Sequence, residues 1–118
     1  MRTILFSTIM VLTFGFVKAQ CNDIVFKITD GKLEKHSISG SYKGKITSEV
    51  SDYDCNSEMV VVVKYDGRVE KYSFSGSYIG LITKEAEKAR ISGDIVLVTK
   101  TNGKIEKYSF SGSYKGRI

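Results

Sequence analysis

The sequence predicts an all-β protein built from antiparallel β-hairpin repeats, and three observations support this prediction. One pattern recurs three times at a period of 36 residues, which aligns Gly31, Gly67 and Gly103 without insertions. Each copy joins a short apolar run to a polar run through an Asp-Gly or Asn-Gly dipeptide, and such dipeptides favour two-residue hairpin turns. The chain contains no proline, so nothing in it interrupts strand pairing.

The repeat units span about residues 23–46, 59–82 and 95–118. In each unit the first predicted strand is an apolar run: IVFKIT, VVVVKY or VLVTKT. The predicted turns follow at Asp30-Gly31, Asp66-Gly67 and Asn102-Gly103. Between units, the spacer KEAEKAR (residues 84–90) has helical periodicity, and we expect about two turns of exposed helix there.

The second half of each unit is a repeated segment that reads YSFSGSYKGRI in the third copy, from Tyr108 to Ile118. Aromatic residues and glycines alternate with serines and cations, a pattern typical of a half-buried antiparallel strand. Eleven residues of strand span about 36 Å, which is long for a small domain. We therefore expect the segment to bend, coil or split at its inward glycines, and we interpret it as a strongly curved strand.

The apolar residues on the two strands of each hairpin are out of phase by one position. One extra residue at Glu34-Lys35, and at the equivalent pairs Glu70-Lys71 and Glu106-Lys107, restores the phase. A β-bulge adds such a residue. The sequence thus predicts that Phe26 lies opposite His36 and not opposite Lys35. For the whole domain, a small curved sheet, a closed barrel and a sandwich all remain open.

The first nineteen residues have the features of a secretory signal peptide. Arg2 precedes an apolar stretch from Ile4 to Val17, which is too short for a typical membrane span, and Val17-Lys18-Ala19 fits a cleavage site. We expect cleavage after Ala19, a single all-β repeat domain over residues 20–118, and a secreted or periplasmic location.

Cys21 and Cys55 are the two cysteines of the chain, and in an exported protein they predict a structural disulfide. Lipidation of Cys21 is the alternative. Removal of Arg2 and Lys18 with the signal peptide lowers the formal net charge from +5 to +3. This modest charge, together with export, argues against a nucleic-acid partner.

No catalytic constellation is evident. The single histidine, His36, occupies a position held by tyrosine in the other two copies, so it is expected to fill a core or half-core position. Glu34, Glu70 and Glu106 recur with the repeat and are expected to form cross-strand ion pairs. The segment DYDCNSE (residues 52–58) resembles the start of a calcium loop but lacks its glycine and its final glutamate, so we predict an acidic spacer loop and no metal or cofactor.

Tyr42, Tyr78 and Tyr114 are the candidate ligand-binding residues. If the sheet closes inward they form core, and if a face stays open they form an aromatic platform for a glycan. Because polar groups are repeated and active sites bring together different groups, we expect a non-enzymatic exported protein. Its leading role is as a binding module for a polysaccharide or another cell-envelope ligand. A structural or assembly role through sheet edges is the alternative, and a small hydrolase is a third.

Overall fold

The computed structural model describes residues 20–118, and the predicted signal peptide lies outside this range. The described chain consists of twelve β-strands joined by turns. Their bounds are β1 Gln20–Cys21, β2 Ile24–Thr29, β3 Lys32–Ser37, β4 Tyr42–Thr47, β5 Val50–Cys55, β6 Val60–Lys64, β7 Val69–Tyr72, β8 Tyr78–Thr83, β9 Ala86–Ser92, β10 Ile95–Lys100, β11 Ile105–Ser109 and β12 Tyr114–Arg117.

The strands form three antiparallel sheets, one for each repeat unit. Each sheet is an up-and-down meander of sequential strands: β1 to β4 in the first unit, β5 to β8 in the second and β9 to β12 in the third. The predicted all-β, antiparallel, three-copy fold is confirmed. The sheets do not close into a barrel, so the barrel alternative is wrong.

The three sheets stack face to face around two hydrophobic clusters. Phe26 and Leu33 of the first unit pack with Val60 and Val62 of the second in one cluster. The opposite face of the second sheet packs against the third unit through a second cluster, whose principal members are Val61, Val63, Val69, Val96, Val98 and Tyr108. The middle sheet is therefore buried on both faces, which explains the uninterrupted valine run of β6.

The turn predictions are confirmed in position, but the loops differ in length. Asp30 and Gly31 both have positive φ and form a two-residue turn between β2 and β3. In the second unit the amide of Lys64 donates to the carbonyl of Arg68, so the loop has three residues and ends at Gly67 with φ of 90°. The third unit repeats this loop at Asn102-Gly103. The extra loop residue shifts the strand register by one in the second and third units.

The predicted bulge between the first two strands of each hairpin is wrong. Phe26 lies opposite Lys35, and His36 lies opposite Val25. In the third unit Val96, not Val98, lies opposite Tyr108, although all three share one face. The longer turn places them there, so no bulge is required. Bulges occur instead where β3 pairs with β4, and again in the equivalent pairs of the other units.

The repeated segment is a second hairpin, not a single curved strand. It splits at a tight turn in which the amide of Ser37 donates to the carbonyl of Ser41 and Gly40 has φ of 98°. The predicted helix at residues 84–90 is wrong: Lys84 and Glu85 form a bend, and residues 86–90 belong to β9. Among residues 20–118 we find no helix long and apolar enough to cross a membrane.

The predicted disulfide between Cys21 and Cys55 is confirmed. It joins β1 of the first unit to the last residue of β5 in the second, with the two Cα atoms 6.3 Å apart. Cys55 therefore lies at the end of a strand, where the sequence had indicated a loop. The bond links two neighbouring sheets of the stack.

Candidate binding surface

The three predicted tyrosines are exposed and occupy equivalent places on the three sheets. Tyr42, Tyr78 and Tyr114 each begin the last strand of a unit, and this strand is an edge of its sheet. Their exposed fractions are 61%, 56% and 58%, so their assignment to the core is wrong. Each of the three sheets thus carries one such ring, and we call the three rings together the tyrosine row.

Each ring of the tyrosine row is supported by a second ring on the neighbouring strand. His36, Tyr72 and Tyr108 lie directly across the strand pair, and each makes an edge-to-face contact with its exposed partner at 5.7, 5.6 and 5.7 Å between centroids. Aromatic pairs prefer edge-to-face or offset-stacked arrangements to a direct face-to-face one. The exposed rings are therefore held in place before any ligand arrives.

The supporting tyrosines are anchored by carboxylates. The hydroxyl of Tyr72 donates to Glu70 at 2.7 Å, and that of Tyr108 donates to Glu106 at 2.6 Å. Burial raises the pKa of both tyrosines, and the hydrogen bond to a carboxylate acts in the same direction. Glu70 is itself buried and pairs with Arg68 at 3.0 Å. The repeated glutamates thus hold the inner rings in place through hydrogen bonds.

The residue after each exposed tyrosine differs between units. Lys43 and Lys115 follow the tyrosines of the outer units, whereas Ile79 follows Tyr78 in the middle unit, and all three are exposed. Ile79 has an exposed fraction of 50%. Because successive side chains on a strand point to opposite faces, these residues lie on the other side of their strands from the exposed rings.

The repeated serines build turns. The hydroxyl of Ser37 accepts from the amide of Ser41 at 3.0 Å and lies 2.9 Å from the hydroxyl of Ser39. The same arrangement recurs at Ser73 and Ser109. These hydroxyls stabilise the second hairpin of each unit, which is the role that serine side chains have in ST-turns.

His36 is half-buried and lies among structural groups. Its Nε2 is 3.2 Å from the carboxylate of Glu34, and its Nδ1 is 3.4 Å from the carbonyl of Gly40. Among the described residues, the ring nitrogens have Glu34 and Gly40 as partners and no serine or other nucleophile. The imidazole therefore replaces the inner tyrosine of the other units.

The acidic segment predicted as a loop is mostly strand β5, and its carboxylates join two sheets. Asp52 accepts from the amide of Ala89 at 3.1 Å and pairs with Arg90 at 2.6 Å. Asp54 accepts from the amide of Ile91 at 2.8 Å. Within residues 20–118 we find no group of three histidine, cysteine or acidic residues placed to hold a metal.

A wide groove of about 510 Å³ lies where the second unit meets the third. Lys64, Asp66, Glu85 and Glu87 are among its lining residues. The guanidinium of Arg68 lies 2.9 Å from Asp66, and a backbone hydrogen bond from Arg68 holds the pKa of that carboxyl below its usual range. The groove is open to solvent, and its lining combines these charged groups with apolar surface.

The sequence identified the three tyrosines but not their setting. The supporting rings and the edge position depend on recognising the repeated segment as a hairpin. The Ser-Gly-Ser tripeptides at residues 39–41, 75–77 and 111–113 are turn signals that identify that hairpin. No protein-family model and no curated protein matches the chain.

Proposed function

We propose that this protein is an exported, non-enzymatic binding module that recognises a polysaccharide, or a similar repetitive cell-envelope ligand, through the tyrosine row. One observation carries the proposal: three equivalent aromatic rings are exposed on successive layers, each held by a second ring. An exposed aromatic face stacks well on the apolar face of a sugar ring. Large rigid side chains of this kind bind at low entropic cost.

The repetition of the site suits a repetitive ligand. Since packed sheets generally lie about 10 Å apart, we expect rings on successive sheets to be separated by roughly the length of a disaccharide. A ligand that contacts one ring is then positioned to contact the next, and linked weak contacts raise the total affinity well above that of one contact. A polymer of sugars meets this condition, whereas a single small molecule does not.

The charges favour an acidic glycan. Lys43 and Lys115 are exposed and adjoin Tyr42 and Tyr114 in the chain, and no acidic residue follows a tyrosine of the row. Carboxylate or sulfate groups along a polysaccharide would gain from these ammonium groups, in a manner that weakens with added salt. Export is supported in turn by the disulfide, since such bonds are typical of oxidising compartments.

The test is a glycan array of neutral and acidic polysaccharides, followed by calorimetric titration of the strongest hit. Tyr78→Ala is expected to weaken binding by about 1–2 kcal/mol, which is about 5- to 30-fold. The matched control is Tyr65→Ala, since Tyr65 has a similar exposed fraction of 63% but lies outside the tyrosine row. Circular dichroism verifies that both variants keep the fold.

Three results would contradict the proposal. The first is equal loss of binding in Tyr78→Ala and Tyr65→Ala. The second is preference for a single-stranded oligonucleotide, whose bases also stack on aromatic rings. The third is that the wild-type protein cleaves any glycan of the array and that His36→Ala abolishes this cleavage. Intact-mass measurement of the secreted protein tests export separately, with an N-terminus at Gln20 as the expected result.

A further inference from the structure

The two junctions between units are made by the same contacts. The ammonium of Lys35 donates to the carbonyl of Phe74 at 2.7 Å, and that of Lys71 donates to the carbonyl of Phe110. Each acceptor lies in the serine-rich turn of the following unit, which spans residues 73–77 in the second unit and 109–113 in the third. That turn sits closely on the preceding sheet, because a Cβ added at Gly76 would lie 3.3 Å from the carbonyl oxygen of Lys45.

Apolar burial accompanies these hydrogen bonds. Phe74 packs against the first cluster and Phe110 against the second, so each serine-rich turn inserts a phenylalanine into a junction. On the receiving side of the second junction, Val69 and Ile82 are 0% and 5% exposed. A junction therefore needs two parts: a receiving face with a lysine, and an inserted turn with an apolar residue and a carbonyl acceptor.

The third unit presents a complete receiving face that no described residue covers. Ile105 and Ile118 stand where Val69 and Ile82 stand in the second unit, yet their exposed fractions are 38% and 75%. Lys107 is the equivalent of Lys71, and no hydrogen bond from its ammonium to another described residue is seen. Gly103 likewise has no atom within 4 Å of an added Cβ, whereas Gly31 and Gly67 are buried against the next unit.

The first unit presents the matching inserted turn at the other end of the stack. Ile38 takes the place of Phe74 and Phe110, and it is 58% exposed. The backbone of this turn has the same hydrogen bonds as its two counterparts. No hydrogen bond from a described residue to the carbonyl of Ile38 is seen, whereas the equivalent carbonyls of Phe74 and Phe110 each accept from a lysine.

We propose that copies of this chain associate head to tail, with the Ile38 turn of one copy seated on the receiving face of the third unit of the next. Lys107 donates to the carbonyl of Ile38, and Ile105 packs against its side chain, which repeats the internal junctions. Contact between two receiving faces is disfavoured because it brings Lys107 against Lys107. On the first unit's outer face, Lys27 lies opposite the acidic Glu34 in the strand register.

A contact between two different surfaces does not close on itself, so this association is open-ended. The test is sedimentation velocity on the purified protein, from micromolar to millimolar concentration, with the N-terminus defined by intact mass. Wild type should grow in mass with concentration. Ile105→Lys and Ile38→Lys, each at one end of the stack, should each remain monomeric, and an equimolar mixture of the two should form only 1:1 dimers of twice the monomer mass.

The mixture identifies the mode of association because each variant keeps one intact end. A monomeric wild type at millimolar concentration would overturn the proposal. So would loss of association in one variant only, which indicates contact between like faces, or failure of the mixture to dimerise. Should Ile105→Lys fail to fold by circular dichroism, Lys107→Glu blocks the same end through an exposed charge and carries the same expectations.

Discussion

Replacing Lys35 by methionine perturbs the junction between the first two units at a single hydrogen bond. The methionine retains most of the aliphatic stem, so packing along the sheet changes little. What is lost is the ammonium that donates to the carbonyl of Phe74 at 2.7 Å. The carbonyl is then left without the donor that the folded stack supplies.

The size of the effect follows from the environment of that bond. Hydrogen bonds that involve a charged group contribute about 1.5–3 kcal/mol. Lys35 is half-buried, so water replaces part of the interaction and the lower end of the range applies. A loss of about 1.5 kcal/mol lowers Tm by about 6–12 °C in a domain of this size.

The matched control is Lys107→Met, which makes the same chemical change in the third unit, where no described carbonyl accepts the ammonium. We expect a change within about 0.5 kcal/mol, as for most surface substitutions. Both variants are compared by urea denaturation in dilute solution, so that association between copies does not contribute. Equal effects of the two substitutions, or no effect of Lys35→Met, would refute the idea that this lysine stabilises the stack.

Three further predictions concern stability. Replacing Cys21 and Cys55 together by serine opens a closure of 34 residues and should lower the free energy of unfolding by about 4 kcal/mol on the chain-entropy estimate; a loss below about 1 kcal/mol in urea would contradict this. Gly67→Ala should lower Tm more than Gly103→Ala, since both have positive φ but only the first Cβ would press on backbone, at 3.2 Å from the amide nitrogen of Ala86; equal shifts in calorimetry would be the contrary result. Burial raises the pKa of Tyr72, so the contribution of this tyrosine to stability is complete below about pH 10 and is lost as pH rises through the higher folded pKa. Above about pH 10 the free energy of unfolding should therefore fall less steeply with pH in Tyr72→Phe than in wild type. An unchanged slope in alkaline denaturation would argue against this.

The features that local chemistry determines could be predicted from the sequence. The period, the strand content and the turn positions follow from glycines and short apolar runs, and the disulfide follows from an even cysteine count together with the predicted signal peptide. The register could not be predicted, because a two-residue loop at Asp30-Gly31 and a three-residue loop at Asp66-Gly67 have nearly the same sequence. That single residue decides whether Phe26 or its neighbour faces the second sheet.

The setting of the tyrosine row was ambiguous for a related reason. A strand that continues past Gly40 and a hairpin that turns there give the same alternation of aromatic and polar residues. Only the pairing of His36 with Tyr42 distinguishes them, and that contact depends on the turn. The stacking of three sheets depends on contacts between residues far apart in sequence, which a repeat pattern does not specify.

The most direct test of the proposed function is the dependence of affinity on ligand length. Fragments of increasing length from the strongest glycan on the array are titrated calorimetrically into the wild-type protein and into Tyr78→Ala. We predict that wild-type affinity rises with length until a fragment reaches all three tyrosines and then levels off, and that loss of the middle ring removes most of this rise. Affinity that is independent of length, or a length dependence that Tyr78→Ala leaves intact, would contradict recognition through the tyrosine row.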